Sequence, residues 1–90
     1  MSINITAIHL VGGEKHEHIQ SVQWRDRSSN ETGQATRATM VDWIGNKGGS
    51  AFVKDNVGSV PVLVVDAKPP YIRTKKDDRW TDNLLALPQY

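Results

Sequence analysis

The apolar positions Ile3, Ile5, Ile8, Leu10 and Val11 are strand-forming residues closed off by Gly12-Gly13, so the pattern predicts a first strand over 3–11. They fall on both faces, which predicts a well-covered strand or one carrying a bulge. A second strand is predicted over 18–25. There His18, Gln20, Val22 and Trp24 alternate with Ile19, Ser21, Gln23 and Arg25, leaving Val22 and Trp24 as the apolar face and Ile19 out of phase. The stretch 26–33 is polar and reads as a surface loop. Over 36–44 the period changes. Met40, Val41 and Ile44 form a helical stripe flanked by Trp43, with Thr36 as N-cap and Gly45 and Gly48-Gly49 as the stop. So short a helix must be held by packing that stripe on a sheet.

The second half reads as strand again. Ala51-Phe52-Val53-Lys54 leads into a turn at Asp55-Asn56-Val57-Gly58. The run 60–65 is apolar on both faces, which predicts a central strand, with Pro61 confined to its first residues because it cannot donate to a ladder. Pro69-Pro70 breaks the chain before Tyr71-Ile72-Arg73-Thr74, and Arg79-Trp80-Thr81 returns as a hairpin across the charged turn 75–78. Leu84, Leu85 and Leu87 form a short apolar tail stopped by Pro88, expected to dock on the sheet or on a second protomer. The order is β-β-α-β-β-β. It predicts one α+β domain over 1–90, a small, mostly antiparallel sheet with one helix packed on one face.

Ninety residues allow one core, burying about 60–65% of the unfolded surface. The net charge of +1 gives no global field, so any polyanion must meet a local patch. The basic residues lean toward the second half: seven Lys/Arg against five Asp/Glu, after four against five in the first 45 residues. There is no cysteine, hence no disulfide or thiolate chemistry. Residues 1–6 lack a basic and apolar leader, and the run 60–65 is far short of the roughly 20 residues of a membrane span. A cytoplasmic protein without membrane contact is expected.

Three strings are more specific than periodicity. They are Ile5-Thr6-Ala7-Ile8 through His16-Glu17-His18-Ile19, the central Met40-Val41-Asp42-Trp43-Ile44, and Tyr71-Ile72-Arg73-Thr74 with Trp80-Thr81-Asp82-Asn83-Leu84-Leu85-Ala86-Leu87-Pro88. Together they resemble the bacterial and phage family known as domain of unknown function 3892, over nearly the whole chain. The resemblance implies a small standalone domain of prokaryotic or phage origin and brings no activity with it. It also implies a glycine in the turn before the Trp, where this chain has Asp77-Asp78.

No catalytic set emerges. Ser28, Ser29, Thr32 and Thr36 have no base and orienter at a legible spacing. Asp77-Asp78 are neighbours on a wet turn. Gly45-Asn46-Lys47-Gly48-Gly49-Ser50 follows a helix and precedes a strand, the reverse of a phosphate loop. Glu14, His16 and His18, with His9 across Gly12-Gly13, would share a strand face that transition metals could use. The plainer reading, a solvated polar face, is preferred. No enzyme, cofactor or metal is therefore expected.

The candidate partner-binding residues are Tyr71, Arg73, Lys75, Lys76, Arg79 and Trp80, basic side chains interleaved with aromatics on a hairpin. All four cations are expected to be exposed. The preferred reading is a small non-enzymatic binding or accessory module acting in phage or host-defence biology, its partner a protein or a second copy. The alternatives are a nucleic-acid-binding domain using the 71–80 hairpin, and an oligomeric protein that sequesters a small ligand between protomers.

Overall fold

The computed structural model describes residues 2–56 and 58–90. Met1, in the expected leaderless segment, and Val57, in the expected 55–58 turn, lie outside the described residues. The chain forms β1 (Ser2–Leu10), a 3-10 turn (His16–His18), β2 (Ile19–Asp26), β3 (Thr32–Thr36), α1 (Arg37–Asn46), β4 (Ser50–Lys54), β5 (Ser59–Val65), β6 (Tyr71–Lys76) and β7 (Arg79–Thr81). The strands lie side by side in the order β3-β2-β1-β4-β5-β6-β7.

This α+β sheet is mixed, not mostly antiparallel, and has seven strands where the order β-β-α-β-β-β counts five. The reason is the route of α1. It leaves the edge strand β3, crosses one face of the sheet, and delivers β4 beside β1 in parallel, pairing Ile3 with Ala51 and Asn4 with Phe52. Of the uncounted strands, one is β3, hidden in and just after the polar 26–33 segment. The other arises because the 71–81 hairpin supplies both β6 and β7. Among the residues of β3, only Ala35 is a partly buried hydrophobic packed on the core. Its Gly33 lies flat against Trp24, where a Cβ would meet the indole at 2.5 Å. Poor strand propensity there is the cost of seating a tryptophan.

The mixed phase of the first strand has a local cause. The β1–β2 register passes from Ile5↔Trp24 to Ala7↔Gln23, skipping Thr6, and slips again at His9/Leu10, skipping Gln20. The first bulge brings Ile3, Ile5, Ile8 and Leu10 onto one face; the second brings Ile19 into phase with Val22 and Trp24. That inner face carries the core: Ile3, Ile5, Ile8, Ile19, Val22, Ala51, Val53, Val62 and Ile72, sealed by Met40 of α1 and by Leu84. Thr36 caps α1 as expected, its hydroxyl accepting from the Thr39 N–H at 3.3 Å. The helix does not stop at Gly45 but runs to Asn46, and Gly48 then turns the chain at φ 69°.

The 82–90 segment docks on the sheet. Leu84 is fully buried, and Leu85 and Leu87 pack beside it. Beyond Asn4, β1 no longer pairs with β4. Its edge is taken instead by residues 88–90: the Ile8 N–H donates to the Pro88 carbonyl at 2.9 Å, and the Tyr90 N–H to the Ile8 carbonyl at 3.0 Å. The Tyr90 hydroxyl meets the Ser21 hydroxyl at 2.9 Å, and its main-chain oxygen accepts from the His9 ring.

The apolar run in β5 is not apolar because both faces are covered. Val60 and Val62 are buried, whereas Leu63 on the other face is 39% exposed and Pro61 is exposed as well. Pro61 is the third residue of its strand, not one of the first, and is tolerated because β6 pairs with β5 only from Val62 onward. In the β6–β7 hairpin, Lys76 pairs with Arg79 around Asp77 (φ 52°) and Asp78 (φ 63°). Two positive φ values define a type I′ turn, whose twist matches its strands. Aspartate tolerates that conformation better than most residues, so no glycine is required.

Two expectations follow for stability. Leu84→Ala lowers the free energy of unfolding by about 2–5 kcal/mol, the usual cost of emptying a buried leucine site, measurable by urea titration with unchanged slope. Asp78→Val costs about 1–2 kcal/mol through the left-handed backbone, while Asp78→Gly leaves the melting temperature near the parent value or above it.

Candidate functional site

The face opposite α1 is built from the alternate residues of each strand. Register places Asn4 beside Arg25 and Phe52, Phe52 beside Pro61, Leu63 beside Arg73, Val65 beside Tyr71, and Lys75 beside Trp80. Following the same alternation, the outward strand positions also include Ser21, Gln23, Thr32, Gln34, Lys54 and Ser59. Not one of them is aspartate or glutamate, although the chain has ten acidic residues. Those ten lie instead in loops and turns, on α1, or, for Asp26, on an inward position at the end of β2. The outward strand positions therefore carry Arg25, Lys54, Arg73 and Lys75 and no carboxylate; Asp82, just past β7, reaches Arg73, and Arg27 folds onto the face from just beyond β2.

Cations and rings are paired on this surface. The Arg27 guanidinium lies 4.4 Å from the centroid of the Phe52 ring, and the Lys75 ammonium 5.1 Å from that of Trp80. Both distances fall within cation–π range. Trp80 is 40% exposed, so it is a surface residue. Together with the exposed Leu63 and Pro61, these side chains give the face a mixed apolar and cationic character.

The expected hairpin cluster is thus divided. Tyr71, Arg73, Lys75 and Trp80 share the outer face; Lys76 and Arg79 point to the other side of the hairpin, where the Lys76 ammonium lies 4.0 Å from Asp55. The four cations are not uniformly exposed. Arg73 is half-buried because its Nε donates to the Thr81 carbonyl at 3.1 Å and its Nη2 meets the Asp82 carboxylate at 2.9 Å. Lys75 is half-buried under its contact with Trp80. Arg25, Arg27, Phe52, Lys54 and Leu63 went unrecognised in the sequence. The signal was there as a period of two, Arg25-x-Arg27 and Phe52-x-Lys54, but it gains meaning only once the register sets those pairs side by side.

The histidines do not form a solvated strand face. His16 and His18 sit in the 3-10 turn, and His16 is 7% exposed, packed toward β6 with its Nε2 unpartnered and 3.9 Å from Asp82. His18 accepts from the Lys15 N–H at 3.1 Å, and His9 is taken by Tyr90. Among the described residues, no three His, Cys, Asp or Glu side chains converge as a metal site would require.

The family model described as "Protein of unknown function (DUF3892)" matches residues 4–88. The chain belongs to this family. The match takes in β1 from Asn4 with its bulges, the six other strands, and the docked tail as far as Pro88. Neither the curated proteins nor the solved structures yield a match.

Burial lowers the pKa of His16 below its ordinary value, with the Arg73 charge acting in the same direction and Asp82 opposing. The unfolded chain thus binds a proton at higher pH than the folded one. Stability from this site is complete above about pH 6.5 and is lost as pH falls through the depressed pKa. Urea midpoints recorded from neutral pH down to about pH 5 should fall, and His16→Phe should remove its share of that slope.

Proposed function

We propose that the protein is a non-catalytic binding module whose working surface is the outer face of its sheet, and that its partner is single-stranded nucleic acid. The observation that carries this reading is the absence of carboxylates from the outward strand positions, where Arg25, Lys54, Arg73 and Lys75 share one face with Phe52, Tyr71 and Trp80. An extended polyanion with flat, weakly hydrated bases matches both halves of that chemistry: phosphates meet the cations, and bases stack on the exposed Trp80 and on the half-buried Phe52 and Tyr71. Self-association through the same face is disfavoured, because two copies laid face to face bring like charges together. A role in phage or host-defence biology and a cytoplasmic setting belong to the same reading. Among the described residues, no helix is long and apolar enough to cross a membrane.

The test is fluorescence of the tryptophans during titration with short single-stranded oligonucleotides at about 50 mM salt, repeated at rising salt. Binding should weaken steeply with salt, and Trp80→Ala should weaken it by the equivalent of about 1–3 kcal/mol, the loss of one stacked base. An unchanged signal at low salt removes the nucleic-acid reading. A defined dimer that loses its interface in Leu63→Lys would return preference to a protein partner.

A further inference from the structure

The outer face is not uniformly flat. Where β1 and β4 part company after Asn4, a cleft of about 470 Å³ opens, walled by Arg25, Arg27 and Lys54 and bordered by Thr6, Ser29 and Asn30. Among the described residues none of the three cations makes an ion pair. Each is instead held by neutral groups or left to solvent. Arg25 donates to the Asn30 side-chain oxygen at 2.5 Å, while Arg27 rests on Phe52 and reaches the Ser59 hydroxyl at 3.4 Å.

The cleft has one carboxylate, Asp26, and it is turned to its own loop. Its Oδ1 accepts from the Ser28 N–H at 2.8 Å and from the Ser28 hydroxyl at 2.9 Å, bonds that hold its pKa below the ordinary aspartate value. Three cations thus face one locally satisfied anion, and like charges are gathered with no partner supplied by the chain.

We propose that this cleft is a phosphate-binding site, taking one backbone phosphate of a strand held on the outer face. Guanidinium groups suit the geometry of phosphate oxygens, and Lys54 adds a point charge from the opposite wall. The proposal rests on the nucleic-acid reading in its choice of ligand, but the same chemistry would accept the phosphate of a free nucleotide. Two probes separate the sources: a fluorescein-labelled oligothymidylate and thymidine monophosphate.

The variant is Arg25→Ala with Lys54→Ala. Both residues are exposed and free of ion pairs, and its melting temperature should match the parent. With the oligothymidylate, the slope of log affinity against log salt should fall by about 0.7, the share of one phosphate contact on a single strand. Trp80→Ala should weaken binding with the slope retained. If the oligothymidylate binds and the double variant keeps the parent slope, the cleft is not a phosphate site, although the binding face stands. If the oligothymidylate fails to bind while thymidine monophosphate binds the parent and not the double variant, the face reading falls and the cleft stands as a small-phosphate site. If neither probe binds, both fall.

Discussion

The structure depends on how the edge of β1 is divided. Every central strand must satisfy its backbone donors and acceptors on both sides, since leaving them buried and unpaired is costly. β1 does so on one side with two different partners: β4 over Ser2 to Asn4, and the 88–90 segment at Ile8. The two halves of the sheet diverge from that seam. Leu84 fills the inner side of the opening, and the cleft of Arg25, Arg27 and Lys54 lies on the outer side. Core and candidate site are two sides of one irregularity.

The bulge at Thr6 belongs to the same arrangement. It shifts the phase of β1 by one residue where the strand leaves β4, so Ile8 and Leu10 stay inward as the strand bends away. The outer face gains from the same step. Thr6 is exposed and lines the cleft, with its hydroxyl donating to the Gln23 carbonyl at 3.3 Å. The segregation of charge completes the picture. A net charge of +1 conceals a face whose outward strand positions hold four cations and no carboxylate, the acidic side chains that approach it, Asp26 and Asp82, coming from its margins.

Much of this was legible in the sequence where the signal was local. The bulge could be read from apolar residues at 3, 5, 8 and 10; the helix from its cap and stripe; the docking of Leu84 from the cost of leaving three leucines in water. β3 was not legible. Gly33 and Ala35 make sense only opposite Trp24 and Val22, which demand small neighbours. The parallel β1–β4 pairing was hidden too, because strand order is a property of the crossover and not of either strand. The candidate site was half visible for a related reason. Tyr71, Arg73, Lys75 and Trp80 are close in sequence, whereas Arg25, Arg27 and Lys54 meet them only through the sheet. His16 was misjudged because alternation suggested a strand, and the 3-10 turn instead rotates it inward.

The docking of residues 84–90 on β1 also bears on the order of events in folding. His9 and Tyr90 touch across 81 residues of intervening sequence, and Leu84 enters a core whose other members begin at Ile3. Contacts of such separation must pay their loop-closure entropy before they return any stability, which slows the crossing of the folding barrier. A chain missing only this segment would hold all seven strands and the helix, yet leave half of β1 with a bare edge beside an open apolar seam. Such an edge is a template for pairing with another chain. Docking of residues 84–90 therefore does more than fill a core site: it closes a strand edge that would otherwise be open to a second chain.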